Sequence, residues 1–244
     1  MPSSRGVDPQ RVSVKITPSS KERPVTNGPL LAAGLLATTL VLGGCATSRS
    51  ELKLASPAPT QTTAHRANAP TAVIRTVKDD RIFEQAPGDP STPSLGFEGA
   101  LQATAEAKSR AIGRKRNTFG KALGDVFLQD GQTVESVIRE NLATVLVGAG
   151  YNVRNEPAGE PPALLIDVRI GKFWAWVQPG FWAITVNTDI ATDLQLSTTA
   201  IAIPVTVHVE DPRQIVTDSA WIEAVETALQ VYRREVAQKL PGVK

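Results

Sequence analysis

Few side chains in this chain have the types and spacing that chemistry requires. Its 244 residues include one cysteine, Cys45, and two histidines, His65 and His208. A nucleophilic triad needs a histidine between a nucleophile and a carboxylate, and a zinc site needs several nitrogen or sulfur ligands together. His65 stands among Pro, Ala, Thr and Gln, where a solvated ring is expected, and His208 stands on an alternating strand. No catalytic residue and no metal site is therefore assigned. Asp79, Asp80 and Glu84 are close in sequence, and Asp167, Asp189 and Asp193 can line one face of a sheet. Paired carboxylates hydrolyse glycosides when an apolar setting keeps one of them protonated. Nothing in these spacings supplies that setting, so solvated strand-face carboxylates are expected. No glycine-rich strand-to-helix turn is followed by Lys-Ser or Lys-Thr, which leaves nucleotide binding unsupported.

Two groups could bind without reacting. Phe173, Trp174, Trp176, Phe181 and Trp182 crowd one hairpin in a chain with 5% aromatics. Strand alternation puts Trp174 and Trp176 on one face and Phe173 on the other. One face must cover the core, and the other is either a patch for a protein partner, a glycan or the membrane interface, or the seat of a further helix layer. The second group runs from Lys108 to Lys121 without an acid and is centred on Arg114, Lys115 and Arg116. It reads as a solvated loop or, alternatively, as a patch for anionic glycolipid or polymer. It lacks the interleaved aromatics that stack on bases, and no nucleic-acid partner is expected. Gly113 and Gly120 within it suggest turns.

Cys45 has the most specific surroundings. Leu30 to Leu42 is an apolar run of 13 residues, preceded by Lys21 and Arg23 and followed by Gly43 and Gly44. That length suits a signal-peptide core and is short for a membrane span. The stretch ahead of the run is long for a leader, which points to a translation start further in than Met1. Arg5, Arg11, Lys15, Lys21 and Arg23 precede the cysteine, against Asp8 and Glu22, so the remainder is close to neutral despite a whole-chain charge of +2. A lone cysteine makes no internal disulfide. Leu42-Gly43-Gly44-Cys45 resembles the lipobox of bacterial lipoproteins. The resemblance implies cleavage after Gly44, diacylglycerol on the Cys45 thiol and acylation of the new amino terminus. Ala46, where an aspartate would signal inner-membrane retention, implies the outer membrane. Several acyl chains anchor stably where one binds reversibly.

The elements that must position these residues follow. Residues 1–44 read as signal peptide, 45–70 as a flexible Pro/Ser/Thr/Ala tether, and 71–244 as one globular domain. Thr71 to Val77 is rich in β-branched residues and predicts a strand. A Pro/Gly/Ser-rich loop covers 85–96, and the alanines of 100–111 predict a short helix. Thr133 caps a helix from Val134 to Ala149, with Val134, Ile138, Leu142, Val145 and Leu146 on one face and glycines at its end. Alternation predicts strands over 163–171, 181–196 and 201–209, and a turn at 178–180. Pro204 places the last of these strands at an edge or a bulge. Asp218 to Leu240 predicts a closing helix with Trp221, Val225, Leu229, Tyr232 and Val236 on its apolar stripe. The fold class is α+β, with an antiparallel sheet of about four to five strands packed on one side by two main helices.

The helix followed by Gly150-Tyr151-Asn152-Val153, the strand from Leu164 to Ile170, the aromatic hairpin, the long strand through Asn187 and Asp189 and the closing helix together resemble the YajG-type lipoproteins of Gram-negative envelopes. That family implies no catalytic residues. The expected protein is a non-enzymatic envelope lipoprotein. It is anchored in the outer membrane through lipid on Cys45, with no other cofactor, faces the periplasm and binds a protein partner. A cell-wall or lipid hydrolase using Asp167 or Asp189 is the minor alternative.

Overall fold

The computed structural model describes residues 12–15, 49–57, 68–96, 99–117, 119–155 and 164–240. The lipobox residues Leu42, Gly43, Gly44 and Cys45, and His65, lie outside the described residues. In chain order the elements are β1 (Val12–Lys15), β2 (Ser50–Leu52), β3 (Thr71–Asp79), α1 (Ala105–Arg110), β4 (Ala111–Arg116) and β5 (Ala122–Leu128). There follow α2 (Val134–Gly148), β6 (Asn152–Arg154), β7 (Leu164–Pro179), β8 (Ile184–Leu196), β9 (Ile203–Arg213) and α3 (Asp218–Lys239).

The α+β class holds, but the sheet is larger than expected and mixed. Among the described residues its nine strands include the path β1-β9-β8-β7-β4-β5-β2, with β3 and β6 off it. The meander β7-β8-β9 is antiparallel, whereas β3 and β4 both run parallel to β7. One 16-residue strand makes this possible. The first half of β7 pairs with β3 and its second half with β4, so the sheet forks along a single edge. Residues 164–171 and 173–177, separate apolar pieces in the sequence, are one strand interrupted by a register shift between Ile170 and Lys172. A bulge resets the two-residue alternation, and this is why the sequence period broke there.

One expectation about the N-terminal third needs correction. The tether assigned to 45–70 is not loose throughout: Ser50–Leu52 forms β2 beside β5, and Leu52 and Leu54 are buried in the main core. Gln132 clamps Leu54 by accepting from its N–H at 3.1 Å and donating to its carbonyl at 2.9 Å. Val12–Lys15, within the segment read as signal peptide, pairs parallel with Val207–Glu210 of β9.

α2 and α3 cover one face. Thr133 and Ser136 form a reciprocal capping box at the start of α2, satisfying N–H groups that have no partner within the helix. Val134, Ile138, Leu142, Val145 and Leu146 are all buried, as their spacing predicts. The apolar stripe of α3 is likewise buried, and its N-cap is Thr217. The Arg233 guanidinium of α3 donates to Asn141 of α2, whose amide donates to Val137 O at 2.7 Å, so the helix pair carries a satisfied polar tie. Pro204 lies beyond the stretch of β9 that β1 pairs, at the sheet's margin. Its missing N–H costs no ladder bond there.

Candidate functional site

The second face of the sheet carries most of the polar residues singled out above. Along β8 the even-numbered residues Val186, Ile190 and Leu194 join the helix-covered core. Asp189 and Asp193 therefore point the other way, beside Asp167 of β7 and His208 of β9. The carboxylates of this face share it without forming one site. Asp167 accepts from Arg75 and from the Thr76 hydroxyl at 2.7 Å, and the Arg75 bond in particular holds its carboxyl below the ordinary range. Asp193 is exposed. Asp80 is held low by hydrogen bonds from Lys78 and Arg169, while Asp79 turns to Arg81, so the two neighbouring aspartates go to separate basic partners.

Asp189 is the centre of a polar group that joins β7, β8 and β9 on this face. One of its oxygens lies 2.6 Å from His208 Nδ1 and the other 2.8 Å from Lys172 Nζ. His208 Nε2 is 3.5 Å from Glu210 Oε1. Lys172 also stands over the Trp176 ring at 5.5 Å, and Trp176 lies 6.0 Å from the His208 ring. Cross-strand register builds the group: Asp189 faces His208 on one side and Trp174 on the other. A base that activates a nucleophile must aim one ring nitrogen at it. Here both ring nitrogens of His208 face carboxylates, Asp189 and Glu210. The pairing of Asp189 with His208 was legible only through strand register, which a chain read residue by residue does not display.

The basic run is not a free patch. Residues 111–116 form strand β4. Arg114 is buried, donates to Gly96 O at 2.5 Å and places Nε 3.5 Å from Asp125, where burial pushes the carboxyl up against the pull of Arg114. Lys115 donates to Ser50 Oγ at 2.6 Å, tying β4 to β2. Arg116 reaches the carbonyls of Pro87 and Gly120 and the Ser94 hydroxyl. Gly113 is a mid-strand residue and not a turn, and it is glycine where a Cβ would meet Ala175 O at 2.7 Å. Gly120 does sit in a turn, with φ of 79°.

The aromatic hairpin divides in two. Phe173 is in the helix-covered core, and Trp174 and Trp176 are buried on the opposite face with Leu95, Ala111 and Phe127. These three are thus not part of an exposed partner patch. The loop that hides the tryptophans is anchored by Arg81, whose guanidinium is fully buried. It donates twice to Asp79, at 2.8 and 2.7 Å, and to Ala111 O, Phe173 O and Lys108 O at 2.6, 3.0 and 2.6 Å. All five guanidinium N–H groups are used. Phe83 meets Trp174 edge-on at 6.1 Å, and Pro90 O accepts from the Trp174 indole at 3.1 Å. Only Phe181 and Trp182 of the five aromatics stand outside, packed edge to face at 4.8 Å on the hairpin tip.

No group of three His, Cys, Asp or Glu side chains able to hold a metal gathers among the described residues. No helix among them is long and apolar enough to cross a membrane.

No family model and no curated protein matches the chain. Among solved structures it is similar to a Xanthomonas campestris protein assigned to family DUF330, at 13% identity and a TM-score of 0.41, covering 80% of this chain and 94% of that one. A second structure, of an uncharacterized protein, matches at 13% identity and a TM-score of 0.38, covering 79% and 95%.

Proposed function

We propose that this protein is a non-enzymatic accessory lipoprotein of the bacterial envelope, anchored in the outer membrane by lipid on Cys45 and displaying its sheet to a partner on the periplasmic side. The observation that carries the reading is the abrupt end of the apolar run 30–42 at Leu42-Gly43-Gly44-Cys45, behind Lys21 and Arg23. The layout resemblance to YajG-type lipoproteins supports it. The half of the second face that the 81–96 loop leaves open suits the partner contact, with Arg169, Asp193, Gln195 and Pro204 exposed around the Lys172–Asp189–His208 group. Cleavage before Cys45 removes β1 and leaves Val207–Glu210 of β9 at the margin of the sheet.

Intact mass of the protein recovered from membranes tests the anchor. A species beginning at Cys45 and carrying diacylglycerol plus an amide-linked acyl chain is expected, together with a longer species when the lipoprotein signal peptidase is inhibited. An unacylated chain in both preparations overturns the reading.

A further inference from the structure

Strand directions bring separate parts of the chain to one end of the sheet. β8 begins opposite the end of β7, since Ile184 pairs with Pro179, so the 180–183 turn closes that end. Ile184 also pairs with Arg213, which sends the chain after β9 out at the same end. β4 is parallel to β7, and its turn into β5 lies there too. β2 is parallel to β5 and runs away from this end, so its first residue, Ser50, is the one nearer to it.

Four of the seven large apolar side chains exposed among the described residues sit at this end. They are Phe119 in the β4–β5 turn, Phe181 and Trp182 on the hairpin tip and Ile215 after β9, at 93, 90, 83 and 75% exposure. The distance to Cys45 is bounded by chain length. Through Val126 and Gly113, Ser50 stands level with Ala175. Five residue-to-residue steps lead from Ser50 to Cys45, and at about 3.6 Å each they span at most roughly 18 Å. From Ala175 to the end of β7 is about 13 Å at strand rise, and the tip lies beyond it. With β2 docked, an anchored Cys45 is thus within reach of this end of the sheet.

We propose that this end of the sheet docks on the lipid bilayer, with Phe119, Phe181, Trp182 and Ile215 in the headgroup region. The inference rests on the lipid anchor proposed above. Tryptophan suits that depth, having an apolar body and one N–H that water or headgroups satisfy. The other tryptophans, Trp174, Trp176 and Trp221, are buried within the protein.

The test uses the full-length gene product recovered from cell membranes and reconstituted into phosphatidylethanolamine–phosphatidylglycerol vesicles whose acyl chains are brominated near the headgroup. Bromine is expected to quench tryptophan emission, and Trp182→Phe to remove most of that quenching. In the Trp182→Phe background, Ile201→Trp places an indole on the β8–β9 turn at the opposite end, where aqueous iodide and not bromine should quench it. Quenching of Trp182 by iodide and not by bromine overturns the proposal. So does shielding of Trp182 from both, which marks a protein contact. Intact mass of the same sample separates the two readings: acylated protein without bromine quenching sinks the docking alone, and an unacylated Cys45 sinks both.

Discussion

The two faces of the sheet are held by different physics. The helix face is a continuous apolar layer in which α2 and α3 bury side chains at helical spacing. The opposite face has a small apolar cluster under a loop, and that loop is held largely by hydrogen bonds from guanidinium groups to carbonyls. Apolar burial is tolerant of exact position, whereas a buried cation must keep every partner. The loop face should therefore fail sharply on a single polar change.

Arg81 is where the contrast should be largest. Arg81→Ala strips Asp79 of its buried partner and three carbonyls of a donor, and should cost about 3–5 kcal/mol in urea unfolding. A loss below about 1 kcal/mol would mean that packing alone holds the loop. Trp174→Ala should cost a similar or slightly smaller amount, about 3–5 kcal/mol, through the cavity left under Phe83. Wild-type stability in that variant would show that the second cluster is not a core.

On the helix face, burial pushes the Tyr232 hydroxyl up to about 12, against a weaker opposing pull from its 3.1 Å bond with Thr192. The folded state keeps this proton after the unfolded chain has lost it. Stability is therefore fully present below pH ~10 and declines as pH rises toward 12, by on the order of 2–3 kcal/mol. Denaturant midpoints measured from pH 8 upward should show the decline, and Tyr232→Phe should flatten it. Smallest of all is Trp182→Ala, expected to shift stability by less than about 0.5 kcal/mol because the side chain stands in solvent. A larger loss would place the hairpin tip within the folded core.

The same difference explains what could be read from the sequence. α2 and α3 declared themselves because every fourth or third residue is apolar and each is buried where that spacing puts it. β8 and β9 were legible by alternation. β2 was not: three residues, Ser-Glu-Leu, in surroundings of Ser, Pro and Ala carry no periodic signal, and only Leu52 and Leu54 hinted at burial. β4 was taken for a loop because Gly113, Arg114, Lys115 and Arg116 are poor advertisements for a strand. Their partners lie far away in sequence: Asp125 and Gly96 for Arg114, and Ser50 for Lys115. The aromatic hairpin was half legible. Alternation placed Trp174 and Trp176 together, but their cover comes from residues 81–96, whose Pro, Gly and Ser content describes a loop without saying where it lands.

The buried Arg81 attachment has a consequence for how the protein responds to its medium. Mobile ions weaken attraction between charges they can surround and barely touch one enclosed by protein. Adding salt should loosen the exposed Arg75–Asp167 and Lys78–Asp80 pairs at the rim while the Arg81 clasp keeps its hold. The covered half of the second face is thus insulated from the ionic strength outside, and the open half beside it is not.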